Sequence, residues 1–352
     1  MKNIVGVDKN FKVESNVAKD DIQLYNVLQP PFKLYGVFYE NGMFRRLPEN
    51  VAESISEGIA FLHTNTAGGR VRFKTSSSYI AVISKMSGVS KMPHFALTGS
   101  SGFDMYVKEK DGEVYRGTFL PPYDIEDGYE SIIEFESEEV REITINFPLY
   151  SDVRELHIGI SKNAELTEAD DYITGRLIVY YGSSITQGGC ASRPGNSYQS
   201  IISRRFDCDY INLGFSGSAK GEKEIADYIK SLDMSLFIYD YDHNAPTEQY
   251  LSDTHERMFK TIRAVKPNLP IIIMSRPKFY LDKYEEERLS IIEATYRNAV
   301  DSGDENVYFI SGSELMRLAK SDGTVDNVHP NDFGFASMAQ ALGDFIEKNK
   351  LL

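Results

Sequence analysis

Leu177-Ile178-Val179-Tyr180-Tyr181-Gly182-Ser183-Ser184 is an unbroken apolar run that stops on a glycine and two serines. A strand with one wet face would alternate apolar and polar residues. A run without alternation reads as a strand of a parallel sheet with helices on both faces. Working outward, similar runs recur at Tyr210-Ile211-Asn212-Leu213, Leu236-Phe237-Ile238-Tyr239, Ile271-Ile272-Ile273-Met274 and Val307-Tyr308-Phe309-Ile310. Segments of helical spacing lie among them at 221–232, 248–265, 282–300 and 333–348. This rhythm predicts a doubly wound α/β domain with five parallel strands.

Upstream the period changes. From about residue 33 to 160 apolar and polar residues alternate, as in Val71-Arg72-Phe73-Lys74, Tyr79-Ile80-Ala81-Val82-Ile83, Ile132-Ile133-Glu134-Phe135 and Glu142-Ile143-Thr144-Ile145-Asn146-Phe147. Turn pairs separate these runs: Gly68-Gly69, Ser101-Gly102, Asp111-Gly112 and Pro121-Pro122. Period two with regular turns predicts an antiparallel, jelly-roll-like β-sandwich. The acidic stretch 163–174, with Glu165, Glu168, Asp170 and Asp171, marks the change of pattern. The expected division is an accessory domain at 1–172 and a catalytic domain at 173–352.

The chain has 352 residues, 41% hydrophobic and 26% charged, enough for two cores without covalent staples. Its formal charge of −14 carries no Lys/Arg block, so nucleic acid and anionic membrane surfaces are not expected partners. The first residues lack an apolar segment of signal-peptide length, and no stretch approaches the roughly 18 apolar residues of a membrane span. A cytoplasmic location is expected. Two cysteines, Cys190 and Cys208, form neither a disulfide framework nor a zinc pattern. They read as reduced thiols, with a single bridge as the alternative.

In an open α/β sheet, functional groups collect just beyond the C-terminal ends of the strands. Those positions are Ser183-Ser184, then Gly214 to Gly217, then Asp240 to Asn244, then Ser275-Arg276-Pro277. A late loop adds Asp326-Asn327-Val328-His329-Pro330. A serine attacks an acyl carbon once a base takes its proton, and a carboxylate that orients the base improves it. Ser184 is therefore read as nucleophile, His329 as base and Asp326 as its orienting carboxylate. The backbone N–H groups of Ser184 and Gly217 and the Asn244 amide are read as oxyanion donors.

Plainer readings stand beside these. Ser184 is also a good helix cap, His329 a surface-loop histidine, Asn244 a turn residue before Pro246, and Gly217 ordinary turn chemistry. His243 reads as structural. His63, His94, His157 and His255 show no ligand spacing, so no metal is expected. The glycine-rich stretch Gly188–Gly195 lacks a phosphate-loop ending, and no nucleotide is expected. Arg193, Asn196, Tyr198 and Arg276 either touch substrate or pin their loops. Asp104 reads as a structural residue of the sandwich.

Four ordered blocks resemble those of the SGNH (GDSL-type) hydrolases over 176–352. Gly182-Ser183-Ser184-Ile185-Thr186 is similar to the first, and Asn212-Leu213-Gly214-Phe215-Ser216-Gly217 to the second. Asp240-Tyr241-Asp242-His243-Asn244 stands at the third, and Asp326-Asn327-Val328-His329-Pro330-Asn331 at the last. Ser183 replaces the usual aspartate beside the nucleophile, and the third block reads Asn244-Ala245 where Asn-Asp is the pattern. In the first half, Gly102-Phe103-Asp104-Met105-Tyr106 resembles the Gly-x-Asp-Leu-Tyr motif of a sandwich that precedes one subgroup.

The resemblance implies a flavodoxin-like hydrolase domain behind a sandwich. It implies a Ser-His-Asp esterase that needs no cofactor and acts on short-chain, chiefly acetyl, esters of a carbohydrate. An abundance of tyrosines, 22 in all, suits sugar stacking, and nothing resembles a lid for long-chain lipids. Acyl transfer by the same residues and a non-catalytic carbohydrate-binding role are the rivals. The sandwich surface suits substrate binding or self-association into a homo-oligomer equally well.

Overall fold

The computed structural model describes Val13, residues 16–173 and residues 175–352. The first half carries β1 (Ile22–Asn26), β2 (Lys33–Tyr35), the hairpin β3 (Phe38–Glu40) and β4 (Met43–Arg45), and the short helices α1 (Glu49–Ile55) and α2 (Glu57–Leu62). Then come β5 (Arg70–Thr75), β6 (Tyr79–Lys85), α3 (Leu97–Ser100), β7 (Phe103–Glu109) and β8 (Gly112–Phe119). β9 (Gly128–Glu134), β10 (Arg141–Asn146), β11 (Glu155–Ser161) and β12 (Leu166–Thr167) complete it.

Apart from the separate β3-β4 hairpin, these strands form two antiparallel sheets, ordered β1-β11-β6-β9 and β12-β5-β10-β7-β8, with β2 added beside β5. The alternation explains the layering. Val71, Phe73, Met105, Val107, Ile143 and Ile145 point into one core with Ile80, Val82 and Ile158 of the facing sheet.

The second half contains β13 (Leu177–Gly182), α4 (Ser184–Gln187), α5 (Tyr198–Phe206), β14 (Asp209–Gly214), α6 (Lys223–Ile229), β15 (Leu236–Asp240) and α7 (Glu248–Arg263). β16 (Ile271–Met274), α8 (Lys283–Asp301), β17 (Val307–Ile310), α9 (Gly312–Leu315) and α10 (Asp332–Asn349) follow. The five strands are parallel in the order β14-β13-β15-β16-β17. Both faces are covered, as the unbroken apolar runs require. Ile178, Tyr180, Leu236 and Ile238 pack with Ile202 of α5 and Leu342 of α10. Val179, Tyr181, Phe237 and Tyr239 pack with Ile225, Met258 and Ile292 of α6 to α8.

Two features escape the sequence patterns. Helices α1 and α2 lie inside the first half, yet Leu47, Ala52, Ile59 and Leu62 share a core with Leu213, Phe215 and Ile225 of the second. Each helix is too short to show an amphipathic period, which is why alternation alone did not reveal them. The polar positions of β5, β7 and β10 are the second feature. Alternation sends Arg70, Arg72, Asp104 and Asn146 toward water, but all four are buried. Arg70 pairs with Asp209 of β14 and lies over the Tyr210 ring at 3.8 Å, so this face abuts the parallel sheet. No helix among the described residues is long and apolar enough to cross a membrane.

Candidate functional site

Strand register sets the level of the site. Gly182 is opposite both Gly214 and Asp240, so β13, β14 and β15 end together. The residues that follow all emerge at one edge.

Beyond β13 the chain turns at once into α4. Ser183 caps this helix, its Oγ accepting from Ile185 N at 3.2 Å. The cap duty therefore falls on Ser183, which leaves the Ser184 hydroxyl free for other bonding. Ser184 Oγ lies 2.9 Å from His329 Nε2. The Tyr150 hydroxyl donates to Ser184 O at 3.2 Å, bringing a residue of the sandwich half under the serine.

The late loop explains the Asp-x-x-His spacing. Asp326 Oδ1 accepts from the backbone N–H groups of Val328 at 3.0 Å and His329 at 2.7 Å, an Asx turn closed by its own side chain. Asn327 takes φ +67° at the bend. The other oxygen, Oδ2, is then 2.7 Å from His329 Nδ1. Partial burial would raise the Asp326 pKa, but the bonds from the His329 ring and the two amides prevail and hold it below its ordinary value. Serine, imidazole and carboxylate thus form a continuous hydrogen-bonded line. Such a line can pass the serine proton to the ring while the carboxylate steadies the charge.

After β14 the chain makes a loop held from several directions. Fully buried Arg46 donates to Asn212 O at 2.9 Å and Gly214 O at 2.7 Å, and its guanidinium sits 4.7 Å from the Phe215 ring centroid. Burial lowers the Arg46 pKa to about 9, which still leaves it charged at neutral pH. Gln187 Oε1 accepts from Ser216 N at 2.9 Å. Gly217 follows with φ +66°, a left-handed conformation suited to glycine, and its N–H has no acceptor among the described residues. Asn244 Nδ2 reaches this loop too, donating to Phe215 O at 3.0 Å, which spends only one of its two hydrogens.

Asn244 sits in a 3₁₀ turn, Asp242–Asn244, anchored by charge. Asp242 accepts from Arg276 Nε at 2.8 Å and Arg288 Nε at 2.6 Å, and Arg276 Nη1 also donates to Glu285 at 2.9 Å. Burial opposes ionisation of Asp242, but the two guanidiniums outweigh it and its pKa stays below the usual value. Arg276 is therefore committed to this cluster. His243 next door is brought to about 4 by burial, with the Arg276 charge adding to it, and is neutral at pH 7. Asp240 is pushed well above the carboxylate range by burial and by Asp242.

The remaining residues flagged in the sequence pin the loop after α4. Asp104, with no exposed surface, accepts from Arg193 Nη1 at 2.8 Å, Gly195 N at 2.9 Å and Asn146 Nδ2 at 2.8 Å. A side chain at Gly195 would sit 2.7 Å from Asp104 Oδ2, so this approach requires glycine. Arg193 stacks over Tyr115 at 3.9 Å. Asn196 donates to Ser192 Oγ at 3.3 Å, and Ser192 N donates to Asp332 at 2.8 Å, next to the His329 loop. Tyr198 is buried against Phe335. The motif aspartate of the sandwich thus holds the loop that follows the serine.

Arg46, Tyr150 and Gln187 were not singled out in the sequence. Only Gln187 lies near a motif; the other two carry no local signal. A mostly apolar cavity of about 420 Å³ lies against Ser216 and Ser218, lined also by Phe61, Leu62, Met92 and Tyr150. A depression of about 480 Å³ near Pro267, Asn268 and Asn306 lies at the start of β16 and β17, the opposite edge from Ser184. Cys190 and Cys208 are both free.

Residues 175–347 match the family model for GDSL-like lipase/acylhydrolase, and residues 22–166 match that for the GxDLY N-terminus of SGNH-hydrolase-type esterases. No curated protein matches the chain. A solved Bacteroides ovatus protein named as a GDSL-like lipase is 27% identical, with a TM-score of 0.83 over 93% of this chain and 97% of its own. A salicylyl-acyltransferase of a tetracycline biosynthetic pathway is 17% identical, with a TM-score of 0.76 over 95% of this chain and 99% of its own. An acetyl xylan esterase from the rumen bacterium Butyrivibrio proteoclasticus is 14% identical, with a TM-score of 0.59 over 94% and 100%. The last two share the fold. Through residues 175–347 the chain belongs to the GDSL-like lipase/acylhydrolase family, and through residues 22–166 it carries the GxDLY N-terminal domain of SGNH-hydrolase-type esterases.

Proposed function

We propose that the chain is a serine esterase that removes short acyl groups, chiefly acetyl, from a carbohydrate. In this reading residues 1–172 form an accessory domain and 173–352 the catalytic domain. The observation that carries it is the line Ser184 Oγ, His329 Nε2 at 2.9 Å, and His329 Nδ1 to Asp326 Oδ2 at 2.7 Å.

His329, oriented by Asp326, takes the Ser184 proton as Oγ attacks the ester carbonyl. The N–H groups of Ser184 and Gly217 and the uncommitted N–H of Asn244 stabilise the oxyanion. As the tetrahedral intermediate collapses, His329 gives its proton to the leaving alcohol. It then activates water to release the acid from the acyl-enzyme. None of these steps requires a cofactor. The cavity beside Ser216 and Ser218 offers an apolar surface suited to one face of a sugar ring. The shared fold with an acetyl xylan esterase agrees with an acetylated sugar substrate, and two free thiols agree with a cytoplasmic location.

The test is acetate release from 4-nitrophenyl acetate and from acetylated oligosaccharides, wild type beside Ser184→Ala. Deacetylated sugars with an inactive variant are expected. Near-normal turnover by the variant sinks the mechanism, and faster cleavage of 4-nitrophenyl octanoate than of the acetate sinks the short-chain claim. The fold shared with a salicylyl-acyltransferase supports a second reading, transfer of the acyl group to another alcohol. An acylated acceptor in place of free acetate would favour it.

A further inference from the structure

His94, Cys190 and His329 come from three distant segments: the loop before α3, the loop after α4 and the loop before α10. One ligand atom of each lies within 4.8 Å of the other two. The two imidazole rings are 5.8 Å apart, centroid to centroid. Asp326 engages Nδ1 of His329, so Nε2, the atom facing Ser184 Oγ, is the ring nitrogen open to a metal.

Cys190 is buried and free, and His94 is exposed. Neither side chain hydrogen-bonds to any described residue. One thiol with two imidazoles is a donor set that zinc takes tetrahedrally, at about 2.3 Å to sulfur and about 2.0 Å to nitrogen. The sulfur also selects against magnesium and calcium, which prefer oxygen. Bonds of that length place ligand atoms roughly 3.3 to 3.5 Å apart in a tetrahedron. Separations of up to 4.8 Å therefore have to close by up to about 1.5 Å on binding.

We propose that His94, Cys190 and His329 form an inhibitory site for a thiophilic divalent cation, zinc foremost, with Ser184 Oγ or a water as fourth ligand. Binding occupies the Nε2 lone pair that would otherwise accept the Ser184 proton, and the thiol proton leaves to solvent. The inhibitory effect rests on His329 as the base; the binding itself does not.

The experiment titrates the metal-free protein with cobalt(II) as a spectroscopic probe, then displaces it with zinc. Expected are one cobalt per chain with a thiolate charge-transfer band, and at least tenfold zinc inhibition of 4-nitrophenyl acetate hydrolysis that a chelator reverses. Cys190→Ser should lose the band and His94→Ala should weaken zinc binding at least tenfold. Both should keep metal-free turnover and escape inhibition. Absence of the thiolate band in the wild type, activation by zinc, or undiminished inhibition in both variants would overturn the site. A protein with the band but without activity on any ester retains the metal site and removes the esterase reading.

Discussion

The loop of Asp326 and His329 and the turn of Asp242 and Asn244 both serve the C-terminal edge of the parallel sheet. Each contains an aspartate held below its ordinary pKa. Asp326 achieves this with neighbours two and three residues away, and its side chain remains 35% exposed. Asp242 relies on Arg276 and Arg288, far along the chain, and is 1% exposed. The first is a local turn that water can reach. The second is a buried charge cluster, costly to assemble and costlier to leave half made. In the proposed mechanism the mobile proton belongs to the exposed turn, while the buried cluster holds the Asn244 turn in place.

The largest expected effect breaks the exposed side alone. His329→Ala should lower kcat by about three orders of magnitude or more, judged from other triads, with the melting temperature nearly unchanged. A large drop in melting temperature would show that this loop is structural after all. Arg288→Met should do the reverse. Removing one partner from a buried pair costs on the order of 3–5 kcal/mol, read as a lower denaturant midpoint, while the molecules that remain folded keep their turnover.

Asn244→Ala tests where the two sides meet. Loss of an oxyanion donor costs about 10²–10³ in kcat, with KM little changed; an unaltered kcat would return Asn244 to the role of turn residue. Acid titration sharpens the contrast at smaller amplitude. A carboxylate whose folded pKa lies below its unfolded one adds stability above the unfolded value, near 4, and loses it as pH falls through the folded value. Asp242→Asn should flatten that acid limb, and Asp326→Asn should flatten it less because its carboxylate is partly solvated. Equal flattening would erase the distinction.

The alternation in the first half and the unbroken apolar runs in the second were enough to read a sandwich followed by a parallel α/β domain. Both patterns follow directly from which strand faces are dry. The line of Ser184, Asp326 and His329 was legible for a related reason. Strand ends are visible in sequence, and an Asx turn needs only four residues.

What surrounds that line was not legible. Alternation shows that Arg70, Arg72 and Asp104 leave the sandwich core, and cannot distinguish water from a neighbouring domain as their destination. Arg46 and Tyr150 belong to the first half but support β14 and Ser184 through backbone carbonyls, which carry no side-chain identity to recognise. Nor does any spacing announce that His94 would lie beside His329. The sequence alone determined the two architectures and the residues at the strand ends, because periodicity and short turns are local. The joining of the halves into one site was decided only by the tertiary structure, because burial of charge and contacts between distant segments depend on packing that no local pattern encodes.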